Sequence, residues 1–302
     1  MYSLQMNFTR LLAALALVFP LLAAAAEPLP VVASFSILGD MVREVGGSRV
    51  AVHTLVGAGE DGHMFQPTPA AARRVAAARL VVVNGLGFEG WMERLVQAAG
   101  YKGALLVAGE GIVPIIKSGE SDPHAWLGVP EAIGYVARIA DGLCGADAAG
   151  CEGYRARAAA YTARLQALDA EIRAAWNAVP EERRQAVIAH DNFSYYGRAY
   201  GVRFFAAQGA DGESEPSARE MAALVRRVRE SDIAALLAEP LASRRLIEQI
   251  ARETGRAVRG VVWAEALSPA DGPAASYEAL MRHNTRALVE AVQGRTALQD
   301  TQ

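Results

Sequence analysis

The stretch CEGYRARAAAYTARLQALDAEIRAAWNAV, Cys151 to Val179, decides the architecture. It has no glycine after Gly153 and no proline before Pro180, so nothing in it interrupts a helix. Its apolar residues Tyr154, Ala158, Tyr161, Leu165, Leu168, Ile172 and Trp176 recur in alternating steps of four and three, which is one stripe of an α-helix. At about 1.5 Å per residue such a helix spans roughly 40 Å, enough to run the length of a two-lobed protein. Unlike a Gly/Ser linker, a continuous helix connects stiffly.

On both sides of this segment short apolar runs alternate with helical patterns. Upstream, Val31–Phe35, Val50–Val56, Leu80–Gly85 and Ala104–Ala108 read as strands, with helical patterns over Ile37–Val45, Pro67–Ala78 and Glu89–Ala98. Downstream, strands are expected at Ala186–Ala189, Arg203–Ala206, Ile233–Ala238 and Ala257–Trp263, and helices at Ser217–Glu230, Ser243–Thr254 and Ser276–Val292. Ser217 with Glu220 three residues on has the form of a capping box. Continuous Val/Leu runs, rather than polar alternation, indicate parallel strands covered on both faces. The expected fold is α/β: two lobes, 27–150 and 180–302, each with a mainly parallel sheet flanked by helices and joined by the 151–179 helix.

The first 26 residues read as a cleaved secretion signal. Arg10 is their only charge, Leu11 to Leu22 is apolar, and Ala23–Ala26 supplies a small-residue cleavage site before Glu27. The run is shorter than the ~20 residues of a membrane span. No cysteine lies near the cleavage site to carry a lipid, so the mature protein is expected to be free in a bacterial periplasm. The two cysteines, Cys144 and Cys151, flank a Gly/Ala/Asp turn, and an oxidising compartment favours a disulfide between them. A net charge of −3 gives no reason to expect nucleic acid or an anionic membrane as a partner.

Chemistry points to the histidines. There are five, and three sit in loops or at strand ends: His63 in Asp61-Gly62-His63-Met64, His124 in Asp122-Pro123-His124-Ala125-Trp126, and His190 in Ala189-His190-Asp191-Asn192. They lie more than sixty residues apart, which excludes a local zinc finger. They can only converge in a folded cleft, and imidazole is the commonest side-chain ligand for transition metals. In open α/β sheets, ligands bind beyond the carboxyl ends of strands. Glu265, just past the last expected strand, obeys the same rule and completes a set of three nitrogens and one carboxylate. A single histidine at a strand end is more often a surface residue than a ligand, but three of five in one exported chain reverse that expectation. His53, inside a strand, and His283, in a helical run, are read as structural. Asp61, Asp122 and Asp191 each adjoin a candidate histidine, either to orient its ring or to cap its loop. Trp126, Tyr195 and Tyr196 are candidates for the cleft wall.

These residues resemble the periplasmic zinc/manganese-binding proteins that deliver metal to ABC importers. The matching pieces are Gly62-His63 with Pro67 and Pro69, Asn84-Gly85-Leu86-Gly87-Phe88-Glu89-Gly90-Trp91, Asp122-Pro123-His124-Ala125-Trp126-Leu127, His190 with Tyr196 and Tyr200-Gly201, Ser214-Glu215-Pro216-Ser217, Glu239-Pro240, and Tyr277 with Arg282-His283-Asn284. The resemblance implies two α/β lobes on one backbone helix with a metal held between them. It assigns His63 and His124 to the first lobe's ligands, and His190 and Glu265 to the second's. The family's usual fourth ligand is Asp, so Asp271 or a water is the alternative to Glu265. The histidine-rich loop of zinc-specialised members is absent before Asp122. The implied cargo is Zn2+, with Mn2+ or Fe2+ as alternatives, and the implied partner is the membrane permease of an ABC importer, served by a monomer. An exported zinc-dependent hydrolase is the competing class. It needs an open coordination position and a general base, and no His-Glu-x-x-His arrangement supplies one.

Overall fold

The computed structural model describes residues 27–117, 119–209, 215–231 and 233–295. The expected secretion signal, 1–26, Ser214 of the matching motifs and the end of the second lobe, 296–302, lie outside the described residues.

In the first lobe, β1 (Leu29–Phe35), β2 (Val50–Val56), β3 (Leu80–Val83) and β4 (Ala104–Val107) form a parallel sheet in the order β2-β1-β3-β4. β1 pairs β3 through Val31–Ala33 against Leu80–Val82, and these residues are buried because helices cover both faces. One layer is α1 (Ser36–Gly46) and α4 (Val129–Ala146); the other is α2 (Pro69–Ala77) and α3 (Met92–Ala98). In the second lobe, β7 (Gln185–His190), β8 (Arg203–Gln208), β9 (Ala235–Ala238) and β10 (Val258–Val261) form a parallel sheet in the order β10-β9-β7-β8. Its helices are α6 (Ser194–Tyr200), α7 (Ala218–Glu230), α8 (Arg244–Thr254) and α9 (Tyr277–Val292). Ser217 and Glu220 close the expected capping box on α7.

Between the sheets runs α5, 27 residues from Cys151 to Asn177. Its buried residues are the seven of the sequence stripe, Tyr154 through Trp176. They pack on α1 and α4 from one side and on α6 and α9 from the other, so one apolar core continues from Val32 through Leu165 to Tyr277. A smaller core under α7 and α8 gathers Val187, Leu224, Val228 and Ile247. The disulfide Cys144–Cys151 ties the end of α4 to the start of α5, with Cα atoms 4.4 Å apart. No helix among the described residues is long and apolar enough to cross a membrane.

Two expected helices start late, each for a local reason. α2 begins at Pro69, not Pro67, because the Thr68 hydroxyl caps it by accepting the Ala71 N–H at 3.1 Å. α3 begins at Met92, because Glu89 turns inward and accepts from the N–H groups of Asn84 and Gly85 and from the Ser34 hydroxyl. Three further elements carry no expectation from sequence: α4, α6 and a hairpin of β5 (Ile116–Lys117) with β6 (Glu120–Ser121).

Candidate metal centre

His63 stands in the loop that follows β2. Asp61 accepts its backbone N–H at 2.8 Å, and Trp91 Nε1 donates to Gly62 O at 2.8 Å. Gly62 is needed for this approach: a Cβ there would lie 2.5 Å from the Phe88 ring. The His63 ring then meets Phe88 edge-on, centroids 4.7 Å apart.

His124 follows the β5–β6 hairpin and is fully buried, its ring 5.2 Å from Trp126. Asp122 Oδ1 accepts both the His124 backbone N–H (3.0 Å) and Nδ1–H (2.8 Å). That bond fixes the tautomer and frees Nε2 as a donor to metal. His190 ends β7, and Glu265 lies in the loop after β10; each is almost wholly buried.

The four side chains converge, with one donor atom from each lying within 4.8 Å of the others. His63 Nε2 is 3.3 Å from His124 Nε2. Glu265 places Oε1 3.2 Å from His124 Nε2 and 3.4 Å from His190 Nδ1, and Oε2 3.4 Å from His63 Nε2. His53 is exposed on β2, and His283 Nε2 donates to Val261 O at 2.9 Å, a structural bond. Asp271 is exposed and stands apart from the cluster.

Electrostatics couple the group tightly. Burial pushes the His124 pKa down, but the Glu265 and Asp122 carboxylates outweigh it and raise it to about 10. Burial likewise opposes protonation of His190, and Glu265 reverses that too. In return, His124 and the other two imidazoles overcome the burial of Glu265 and hold its carboxyl well below the usual range. A cation held by these four donors would have to displace a proton from His124.

The Glu265 loop leaves β10 of the second lobe, as expected, and is also fastened to the first lobe on both sides of Glu265. Trp126 Nε1 donates to Ala264 O at 2.9 Å; Leu267 N–H donates to the Ser36 hydroxyl at 3.0 Å, and Leu267 O accepts from Gly59 N–H at 2.9 Å. Of the proposed wall residues, Trp126 backs His124, and Tyr195 donates to Asp122 O at 3.0 Å. Tyr196 bonds Trp176 and Thr285, which is core packing. The three aspartates divide by role: Asp122 orients a ring, Asp61 caps a loop, and Asp191 pairs with Lys117 Nζ at 2.5 Å.

Sequence reasoning missed three residues here. Lys117 also approaches Asp122 Oδ2, at 3.6 Å. Asn192 donates to Glu265 Oε1 and to Glu239 Oε2, and Glu239 lies buried beneath His190. Glu239-Pro240 is among the family-matching pieces, but nothing in the order of residues tied Glu239 to the site.

The sequence matches the family described as zinc-uptake complex component A, periplasmic, over residues 31–291. The chain belongs to this family. A manganese-binding lipoprotein, MntA, of Halalkalibacterium halodurans is 32% identical over 88% of this chain and 89% of its own. The iron-binding protein YfeA of Yersinia pestis is 29% identical over 85% and 84%. The solved periplasmic zinc-binding protein TroA from Treponema pallidum superposes with a TM-score of 0.83 at 27% identity, covering 88% of this chain and 99% of its own. Members of the family are substrate-binding components of metal ABC importers, and this chain is one of them rather than an enzyme.

Proposed function

We propose that the protein captures one Zn2+ ion between its lobes, with His63, His124, His190 and Glu265 as ligands, and hands it to the permease of an ABC importer. The reading rests on the spacing of the donors. Ligands about 2.0–2.1 Å from zinc at tetrahedral corners stand about 3.3 Å apart; here His63 and His124 Nε2 are 3.3 Å apart, Glu265 Oε1 is 3.2 Å from His124 Nε2 and 3.4 Å from His190 Nδ1, and one donor atom from each of the four residues lies within 4.8 Å of the others. Three imidazoles and a carboxylate suit zinc in charge and softness. The protein works as a periplasmic monomer, with lobes 27–150 and 180–302 meeting across the 151–179 helix.

The test is competition with a chromophoric chelator. Wild type binds one equivalent of zinc. Ala at His63, His124 or His190 weakens binding by orders of magnitude, while His53→Ala and His283→Ala leave it unchanged. Unchanged affinity in two of the three ligand variants overturns the site. The manganese- and iron-binding relatives favour a second reading of the cargo. The Irving–Williams order makes zinc the tighter ligand in vitro, and manganese displacing equimolar zinc contradicts the zinc assignment.

A further inference from the structure

Asn192 lies two residues past His190, in the turn that leaves β7, and is wholly buried. Its side-chain nitrogen carries two hydrogens and faces two carboxylates: Glu239 Oε2 at 2.7 Å and Glu265 Oε1 at 2.9 Å. His190 Nδ1 is also near, at 3.2 Å. Glu239 is held in turn by the His190 backbone N–H at 3.3 Å. A flipped amide would turn its oxygen on both carboxylates, so charge sets the orientation.

The other end of the amide has no role of its own. Oδ1 is buried without a hydrogen-bond partner among the described residues. An unmet buried acceptor is destabilising, and an apolar side chain of similar volume would avoid it. Packing therefore does not explain an asparagine here; the paired donation to Glu239 and Glu265 does.

The two oxygens of Glu265 are consequently unequal. Oε1 accepts from Asn192 and stands 3.2 Å from His124 Nε2 and 3.4 Å from His190 Nδ1, whereas Oε2 is buried with no hydrogen bond among the described residues and lies 3.4 Å from His63 Nε2. The long side chain of Glu265 can rotate to offer both oxygens to an ion, and a two-oxygen grip raises the coordination number. Higher coordination and more oxygen suit manganese; four-coordination suits zinc. We propose that Asn192 is a specificity-determining residue: by donating to Oε1 it stops the carboxylate from rotating, keeps Oε1, the oxygen beside His124 and His190, as its single donor, and so keeps the site four-coordinate. This rests on the ligand set proposed above and adds a residue that governs its preference.

The experiment measures zinc and manganese affinities by chelator competition for wild type, Asn192→Ala and Asn192→Leu, with His124→Ala as a control. The leucine variant keeps the volume and removes the donor, so it carries the comparison where the alanine variant melts too low to measure. Zinc affinity is expected to fall about 10- to 100-fold, the usual effect of losing a group that orients a ligand. Manganese affinity falls less or rises, so the zinc-to-manganese ratio drops. Cobalt-loaded protein reports geometry independently: the strong visible bands of four-coordinate Co2+ in wild type should weaken in the variants. Equal losses for both metals with an unchanged cobalt spectrum reduce Asn192 to a structural part and overturn the proposal. If His124→Ala binds zinc as wild type does, the ligand set itself fails, a different result from an unchanged ratio in the Asn192 variants.

Discussion

Glu265 and His124 raise each other's charge, and the pair makes the site sensitive to pH. The pKa of His124 is raised from 6.5 to about 10, so its contribution to folding is complete below pH 6.5 and lost as pH climbs through about 10. That of Glu265 is lowered from 4.5, so its contribution is present above pH 4.5 and lost as pH falls through its folded value. Metal-free protein should therefore gain most from this pair between about pH 4.5 and 6.5, as melting curves across pH will show. Glu265→Gln removes the charge, and NMR titration should find the His124 pKa well below its wild-type value; an unmoved His124 refutes the coupling. Zinc competes with the His124 proton, so affinity should rise by about tenfold per pH unit up to the His124 pKa. Asp122→Asn loses the acceptor that fixes the His124 tautomer and should weaken zinc binding about 10- to 100-fold with little change in fold, checked by chelator competition and circular dichroism.

At the scale of elements, the disulfide joins α4 to α5 at the end of α4 remote from His124. Replacing Cys144 and Cys151 by Ser should destabilise the protein by roughly 2 kcal/mol, the expectation for so short a loop, and leave zinc affinity as it was. Leu165→Ala in the middle of the α5 stripe should cost about 2–5 kcal/mol in denaturant unfolding. Elements with a strong period were legible in the sequence: the α5 stripe reappears residue for residue as its buried face. α4 was not, because Gly134, Gly142 and Gly145 fall inside it and tertiary packing, not propensity, holds it helical. The hairpin before His124 has two residues per strand and offers no period to read. The candidate ligands could be named from their types and strand-end positions. Asn192 and Glu239 could not, since only folding brings the ends of β7, β9 and β10 together. Nor does anything in the order of residues show that the Glu265 loop is fastened to the first lobe.

For the molecule as a whole, the continuous core and the long α5 leave little room for a wide hinge. Bonds from Trp126, Ser36 and Gly59 tie the Glu265 loop to the first lobe, and bonds from Asn192 and Asn284 tie it to the second, so the loop links the two. Small-angle scattering should show the radius of gyration changing by less than about 1 Å on zinc binding, within the range of pre-organised binders. A larger compaction contradicts the rigid frame. The central claim is that one ion is gripped where the two lobes meet, and anomalous diffraction at the zinc edge from zinc-loaded crystals tests it most directly. The account predicts a single strong peak about 2.0–2.2 Å from one donor atom each of His63, His124, His190 and Glu265. A peak elsewhere, or one without His124 among its neighbours, contradicts it.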